Sequence, residues 1–291
     1  MSLIYDVSFD STTRVLSLLD KAGNVISSCE VPSKDVDDIT KPLTFKATKD
    51  GSTVKIIKMN SPVGDFQTSR DGGNTWSNYT IGTSIALNTG DEVSFRAKAN
   101  RTSKQGVNDV FSFEMTGKIE AWHNVMSMYR TNDFATYESV VEYAFAHLFI
   151  RCTSLTKAPV LPATKLATAC YYRMFIGCQS LTKAPELPAT TLANYCYQYM
   201  FSGCQSLTKA PELPATTLSN SCYGGMFSGC QSLKEVRVSA TTNATDALTN
   251  WLKNVSATGD FYCNPNATIF PSGVSGIPSG WARRNIADYP N

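Results

Sequence analysis

Charge is scarce in this chain of 291 residues: Asp, Glu, Lys and Arg make up 17% of it and nearly cancel, leaving +2. A balance so close to neutral offers no electrostatic footprint for a nucleic-acid partner. Histidine is scarcer still. His123 and His147 are the only two, and neither has a nucleophile or a carboxylate pattern beside it, so both are expected to be structural. No run of eighteen apolar residues occurs, which leaves no segment to insert in a membrane. C-x-x-C pairs are missing as well. The nine cysteines include neighbours spaced by eight residues, such as Cys170 and Cys178, so no metal and no cofactor are expected. An odd count fits free thiols buried in a core better than a complete disulfide set. The opening MSLIYDVSFDSTTRV lacks a basic flank followed by an apolar stretch, and is not expected to be a secretory signal.

What is present is a repeat. GCQSLTKAPELPATTL begins at Gly177 and again at Gly203, a period of 26 residues. Cys152, Cys178, Cys204 and Cys230 keep one register; Cys170, Cys196 and Cys222 keep another. A period of this length marks a stack of supersecondary units that close their core only against one another. Within a unit, Pro185 and Pro188 confine any laddered strand to about Gln179–Ala184. Ala189-Thr190-Thr191 offers a capped helix start, and Leu192, Cys196 and Met200 recur every fourth residue as on one helical stripe. Gly203 stands where a left-handed cap would end that helix. Each turn is therefore expected to be a strand, a proline corner and a helix.

The remaining chain divides around that stack. Residues 1–41 predict three short strands (Ile4–Phe9, Arg14–Leu19, Val25–Val31) and an acidic linker. So small a β-piece must dock on another domain or on its own copies. It is either an attachment and oligomerisation element or an extra hairpin on the next domain. Residues 42–118 predict seven strands: Leu43–Ala47, Thr53–Lys58, Phe66–Ser69, Trp76–Thr80, Ser84–Leu87, Glu92–Lys98 and Val110–Thr116, a β-sandwich. Residues 119–151 are a connector whose Val140–Ile150 predicts a degenerate first helix capping the stack. The repeats occupy 152–238. A C-terminal cap, 239–291, carries a strand at Lys234–Val238 just before it, a short helix at Thr245–Val255 with Trp251 and Leu252 inward, a strand at Asp260–Cys263 and a loop-rich plug. The predicted fold class is thus multidomain: an N-terminal all-β part (hairpin plus β-sandwich), then a leucine-rich-repeat α/β solenoid with capping segments.

Two resemblances bear on function. Ser69-Arg70-Asp71-Gly72-Gly73-Asn74-Thr75-Trp76 resembles the Asp-box of sialidase propellers, a hairpin turn that recurs once per blade; here it occurs once, which reads as a hairpin and not as a glycosidase. The units MF-x-GC-x-SLTKAP-x-LPAT, with the closing NWLKNVSATGDFYCNPNATIFPSGVSGIPSGW, resemble BspA-like leucine-rich repeats of Bacteroides-type gut bacteria and their phages. The first forty residues are similar to the β-segment that opens phage fibre proteins. That resemblance implies adhesion without catalysis. The protein is expected to be a virion component, a fibre or a head or tail appendage, assembled in the bacterial cytoplasm. It would form a homo-oligomer, with a trimer favoured. Its N-terminal segment would join other virion proteins, and its repeats would meet a host-surface glycan or protein. The alternative is an exported bacterial cell-surface adhesin.

Candidate contacts fall into two sets. Lys157, Lys183 and Lys209 form one ladder and Glu186 and Glu212 another, which suits a repetitive ligand or a solvated face. Variation between copies concentrates at Tyr172, Arg173, Tyr195, Gln198 and Tyr199, and exposed tyrosines favour recognition. Tyr171, Tyr197 and Tyr223 recur without change and are expected between turns.

Overall fold

The computed structural model describes residues 6–10, 15–19, 22, 25–30, 37–58, 65–101 and 111–289. The chain divides into two compact units, Met1–Asp37 and Asp38–Asn291. The first is a three-stranded antiparallel sheet, β1 (Asp6–Asp10), β2 (Val15–Leu19) and β3 (Val25–Glu30), in that order, with Asp6 opposite Leu19 and Val15 opposite Glu30. The strand ends expected at Ile4, Arg14 and Val31 lie outside the described residues, as does most of the turn at 20–24.

In the second unit all seven strands predicted between 42 and 118 form. They are β4 (Thr44–Ala47), β5 (Ser52–Lys58), β6 (Phe66–Ser69), β7 (Ser77–Tyr79), β8 (Ile85–Leu87), β9 (Glu92–Ala97) and β10 (Phe111–Thr116). Two more strands, β11 (Ile119–Trp122) and β12 (Leu155–Lys157), come after them. One sheet runs β12-β11-β4-β9-β6-β7 and the other β10-β5-β8. Their buried faces meet through aromatic rings: Phe45 lies 4.6 Å from Phe113, and Phe95 lies 5.3 Å from it, both edge to face. Edge-to-face pairs add about 1 kcal/mol each beyond the area they bury. Because β12 belongs to the repeats and pairs in parallel with β11, the first sheet continues into the stack. One buried cluster runs from Leu43 through the repeats to Trp281.

The helix expected in each repeat is absent, and this corrects the predicted α/β solenoid: no α-helix occurs among the described residues, only two short 3-10 turns at Val125–Met128 and Ile286–Asp288. In its place each unit carries a chain of turns with a left-handed residue every fourth position. Tyr195 (φ 59°), Tyr199 (56°) and Gly203 (77°) show the pattern, and Ala169, Arg173 and Gly177 repeat it one unit earlier. Backbone donors alternate. Tyr197, Tyr199, Phe201 and Gly203 donate across to the next unit (Phe201 N to the Met226 carbonyl, 2.9 Å), while Gln198, Met200 and Ser202 donate back three residues within their own.

A four-residue stripe cannot distinguish this from a helix, since both return a side chain to one face every fourth residue. Propensity and partners decide it. Asn194–Gly203 is dominated by Asn, Tyr, Cys, Ser and Gly, weak helix formers. A helix would also leave the neighbouring unit without a backbone partner, whereas the turns bond it at every second residue. Holding a tyrosine at positive φ costs about 1–2 kcal/mol per residue, which these cross-links offset. The same correction applies to Val140–Ile150, where Phe145 N donates to Cys170 O and Phe149 N to Met174 O, and to Thr245–Val255, where Asp246, Asn250 and Asn254 are left-handed. Trp251 and Leu252 are nonetheless buried there.

Identical side chains stack across the units. Phe149, Phe175, Phe201 and Phe227 form a column with ring separations of 5.3, 5.5 and 5.7 Å and planes within 5°. Phe145, Tyr171, Tyr197, Tyr223 and Trp251 form a second, from 5.7 to 6.3 Å apart. Buried thiols make a third column. Cys152, Cys178, Cys204 and Cys230 each point Sγ at a carbonyl 3.0 to 3.2 Å away, that of Phe113, Phe149, Phe175 and Phe201 in turn.

The proline side of the units is less regular. Units pair there through single bridges such as Lys157 with Lys183. No backbone hydrogen bond joins residues 182–188 to 208–214 among the described residues. Pairing resumes where Arg237 takes the register of Pro211: Ala210 and Leu213 donate to Glu235 and Arg237 at 2.9 and 3.1 Å. Three parallel strands, β13 (Glu235–Arg237), β14 (Gly259–Cys263) and β15 (Trp281–Asn285), then close the end. β15 falls within the segment expected to be a loop-rich plug.

Candidate functional site

The proline segments of two adjacent units line a groove of about 700 Å³, with Lys183, Glu186, Lys209 and Glu212 on it. Its lining comes from alternation: Pro185 and Leu187 are buried, whereas Thr182, Lys183, Glu186 and Pro188 are exposed, and the next unit sets buried Ala210 and Pro211 among exposed Thr208, Lys209 and Glu212. Proline fixes φ and cannot donate, so these segments stay extended without a ladder between them. The outcome is a stiff, apolar bed edged at each unit by one hydroxyl, one ammonium and one carboxylate.

One end of the groove is closed by Tyr289, which lies beyond the last strand. Its hydroxyl donates to Glu235 Oε1 at 2.6 Å, and Lys209 Nζ reaches the same oxygen at 2.9 Å. Lys209 and the Arg237 guanidinium lie 4.8 and 4.6 Å from its ring centre, and Tyr262 packs edge-on at 4.8 Å. Arg237 in turn donates to Glu212 at 3.1 Å. Hydrogen bonds to Tyr289 and Glu235 hold the Lys209 ammonium above the usual lysine range. Burial and then Glu235 push the Tyr289 phenol up. Lys209 and Glu212 are thus engaged by the protein itself. Lys183 and Glu186, exposed one unit away, form no ion pair or side-chain hydrogen bond among the described residues.

The expected ladder is divided. Lys157 does not line the groove; its ammonium sits 3.5 Å from the centre of the Trp122 ring and near the Ala121 carbonyl. Tyr172, Arg173, Tyr195, Gln198 and Tyr199 lie on the turn strips and do not line the groove either. Among them, the Arg173 guanidinium sits 4.9 Å from the Tyr172 ring and 5.3 Å from that of Tyr199, and His147 packs 5.5 Å from Tyr172. Burial and the nearby Arg173 push His147 down. Tyr195 is the most open, 42% exposed. Tyr289, Glu235 and Arg237 are not among the residues the sequence singles out. Only the stacking of β13 to β15 brings Tyr289 beside Lys209, and nothing local in the sequence signals that.

The Asp-box segment forms the β6–β7 turn. Asp71 accepts from the Ser69 and Thr75 hydroxyls at 2.6 Å and from Thr75 N at 2.9 Å, which holds its carboxyl far below the usual carboxylate range. Trp76 Nε1 donates to the Gly73 carbonyl, and Arg96 lies over its ring. These bonds brace a hairpin. Among the described residues no three His, Cys, Asp or Glu converge to hold a metal, and no helix is long and apolar enough to cross a membrane. No protein-family model, curated protein or solved structure matches the chain.

Proposed function

We propose that this chain is a non-enzymatic display protein of a bacteriophage particle, a fibre or a head or tail appendage, whose repeats carry a surface for attachment to the host cell. The observation that carries this reading is the groove. The same outward letters, Thr, Lys and Glu, recur in register on a rigid bed, and the titratable groups around it are engaged in ion pairs or exposed. A rigid repeated surface suits binding better than bond-making. The resemblance to BspA-like repeats supports the same reading. So do the eight buried, unpaired cysteines among the described residues, a state that fits folding in a reducing compartment. In this reading the N-terminal sheet joins the protein to its own copies, as a trimer, and to other virion proteins.

Antibody raised against the chain and carried on gold tests it in infected cultures. Label on particles and a trimeric mass in solution are expected. Label confined to intact bacterial surfaces overturns the virion assignment in favour of an exported adhesin. Turnover of sialylated or other glycans above background overturns the non-enzymatic one.

A further inference from the structure

Resting on the display reading, the geometry points to a specific ligand class for the groove: a neutral, hydroxyl-rich oligosaccharide chain, held chiefly by Lys183 and Glu186.

Charge balance is the first argument. Each unit sets an ammonium and a carboxylate three residues apart, Lys183 with Glu186 and Lys209 with Glu212. A polyanion laid along the groove meets both carboxylates and a polycation both ammoniums, and each repulsion costs binding. A chain of hydroxyls meets neither. Every sugar hydroxyl both donates and accepts, so it is matched by a lysine that only donates beside a glutamate that only accepts. Thr182 and Thr208, which do both, line the same groove.

The second argument is availability. Lys209 is held by Glu235 and Tyr289, and Glu212 by Arg237. These contacts take up part of what the two groups can donate and accept, and hold them in place. Lys183 and Glu186 present their full hydrogen-bonding capacity at the groove's open part. The third is preorganisation. Proline segments lose little freedom on binding, and the Tyr289 wall is fixed by its bond to Glu235 and by two cations on its ring. A peptide adding as a strand is less well served: Pro185, Pro188, Pro211 and Pro214 line the groove and have no N–H to donate to it.

The test probes a printed array of neutral, sialylated and sulfated oligosaccharides and of basic and acidic peptides. The full chain, the double variant Lys183→Ala/Glu186→Ala and the control Lys157→Ala are compared. Lys183 and Glu186 are exposed and Lys157 is part-buried against Trp122, and thermal melting of each variant confirms an intact fold. Expected is binding to neutral oligosaccharides, weakened at least about tenfold in the double variant and unchanged in Lys157→Ala, the loss of two charged hydrogen-bonding groups. Signal restricted to sialylated, sulfated or peptide spots, equal signal from the double variant, or no signal on any spot overturns the assignment. Beads coated with each protein are added in parallel to bacterial cells. Adherence that survives in the double variant sinks the groove while sparing the display reading; beads that adhere to no cell sink the display reading itself.

Discussion

The ring of Tyr199 lies over Gly225 so closely that a Cβ built on that glycine would come within 2.2 Å of it. The two occupy the same left-handed position in consecutive units, at φ 56° and 60°. One unit spends the position on a large ring and the next leaves room for it. Gly225→Ala should therefore destabilise the protein by about 2 kcal/mol, from overpacking and positive-φ strain together. In a Tyr199→Ala background the same change should cost about half as much, because only the backbone strain remains. Chemical denaturation of the four proteins measures the cycle. Equal costs in both backgrounds would show that the ring and the glycine do not interact.

Within the tyrosine column the hydroxyls of Tyr171 and Tyr197 are buried and lack a hydrogen-bond partner. Leaving such a group unsatisfied costs about 1–3 kcal/mol, whereas a phenylalanine keeps the stacking and removes the penalty. Tyr197→Phe is expected to raise stability by about 1 kcal/mol. Two units earlier in the same column, Phe145 already stacks on Tyr171 at 5.7 Å without a hydroxyl. A loss of stability would mean that the hydroxyl has found a partner.

Burial raises the Cys170 and Cys230 thiols to about 12 and Cys222 to about 11, and lifts Cys178, Cys196 and Cys204 well above the usual thiol range. At neutral pH these are thiols and not thiolates, so they are poor nucleophiles. In the native protein a disulfide reagent should leave the eight buried cysteines, from Cys152 to Cys263, unreacted for hours, and denaturant should release all of them. Rapid native reaction at these positions would contradict the packed column.

His147 binds its proton less well in the fold than in the unfolded chain, where its value is near 6.5, because burial and then Arg173 disfavour the charged form. The unfolded state therefore takes up more protons as pH falls below about 6.5, and stability declines there; above that value the contribution is fully present. His147→Gln should flatten the pH dependence of stability between about 5 and 7. An unchanged slope would assign that dependence to other groups.

Sequence is most informative where one residue's neighbours in the chain decide its state. The seven strands of the β-domain are legible in alternation such as Thr44-Phe45-Lys46-Ala47, and Ser69–Trp76 in turn chemistry that Asp71 satisfies locally. The buried thiol columns are legible in the period alone. The repeat's helix is a false reading because Leu192, Cys196 and Met200 return to one face equally well in a train of left-handed turns. What separates the two is a hydrogen bond to a residue 25 positions on, which a local window does not contain. The groove is half legible. Lys183, Lys209, Glu186 and Glu212 share a register, while Tyr289, 80 residues beyond Lys209, enters only through the parallel closure of β15 on β14.

The groove depends on how one unit bonds to the next, and couplings transmitted through hydrogen bonds report that pairing directly. In deuterated protein, a coupling between the Phe201 amide nitrogen and the Met226 carbonyl carbon is the expected result, matched by one between Tyr199 and Gly224. A coupling from Phe201 to the Tyr197 carbonyl instead, the mark of a helix, would contradict it.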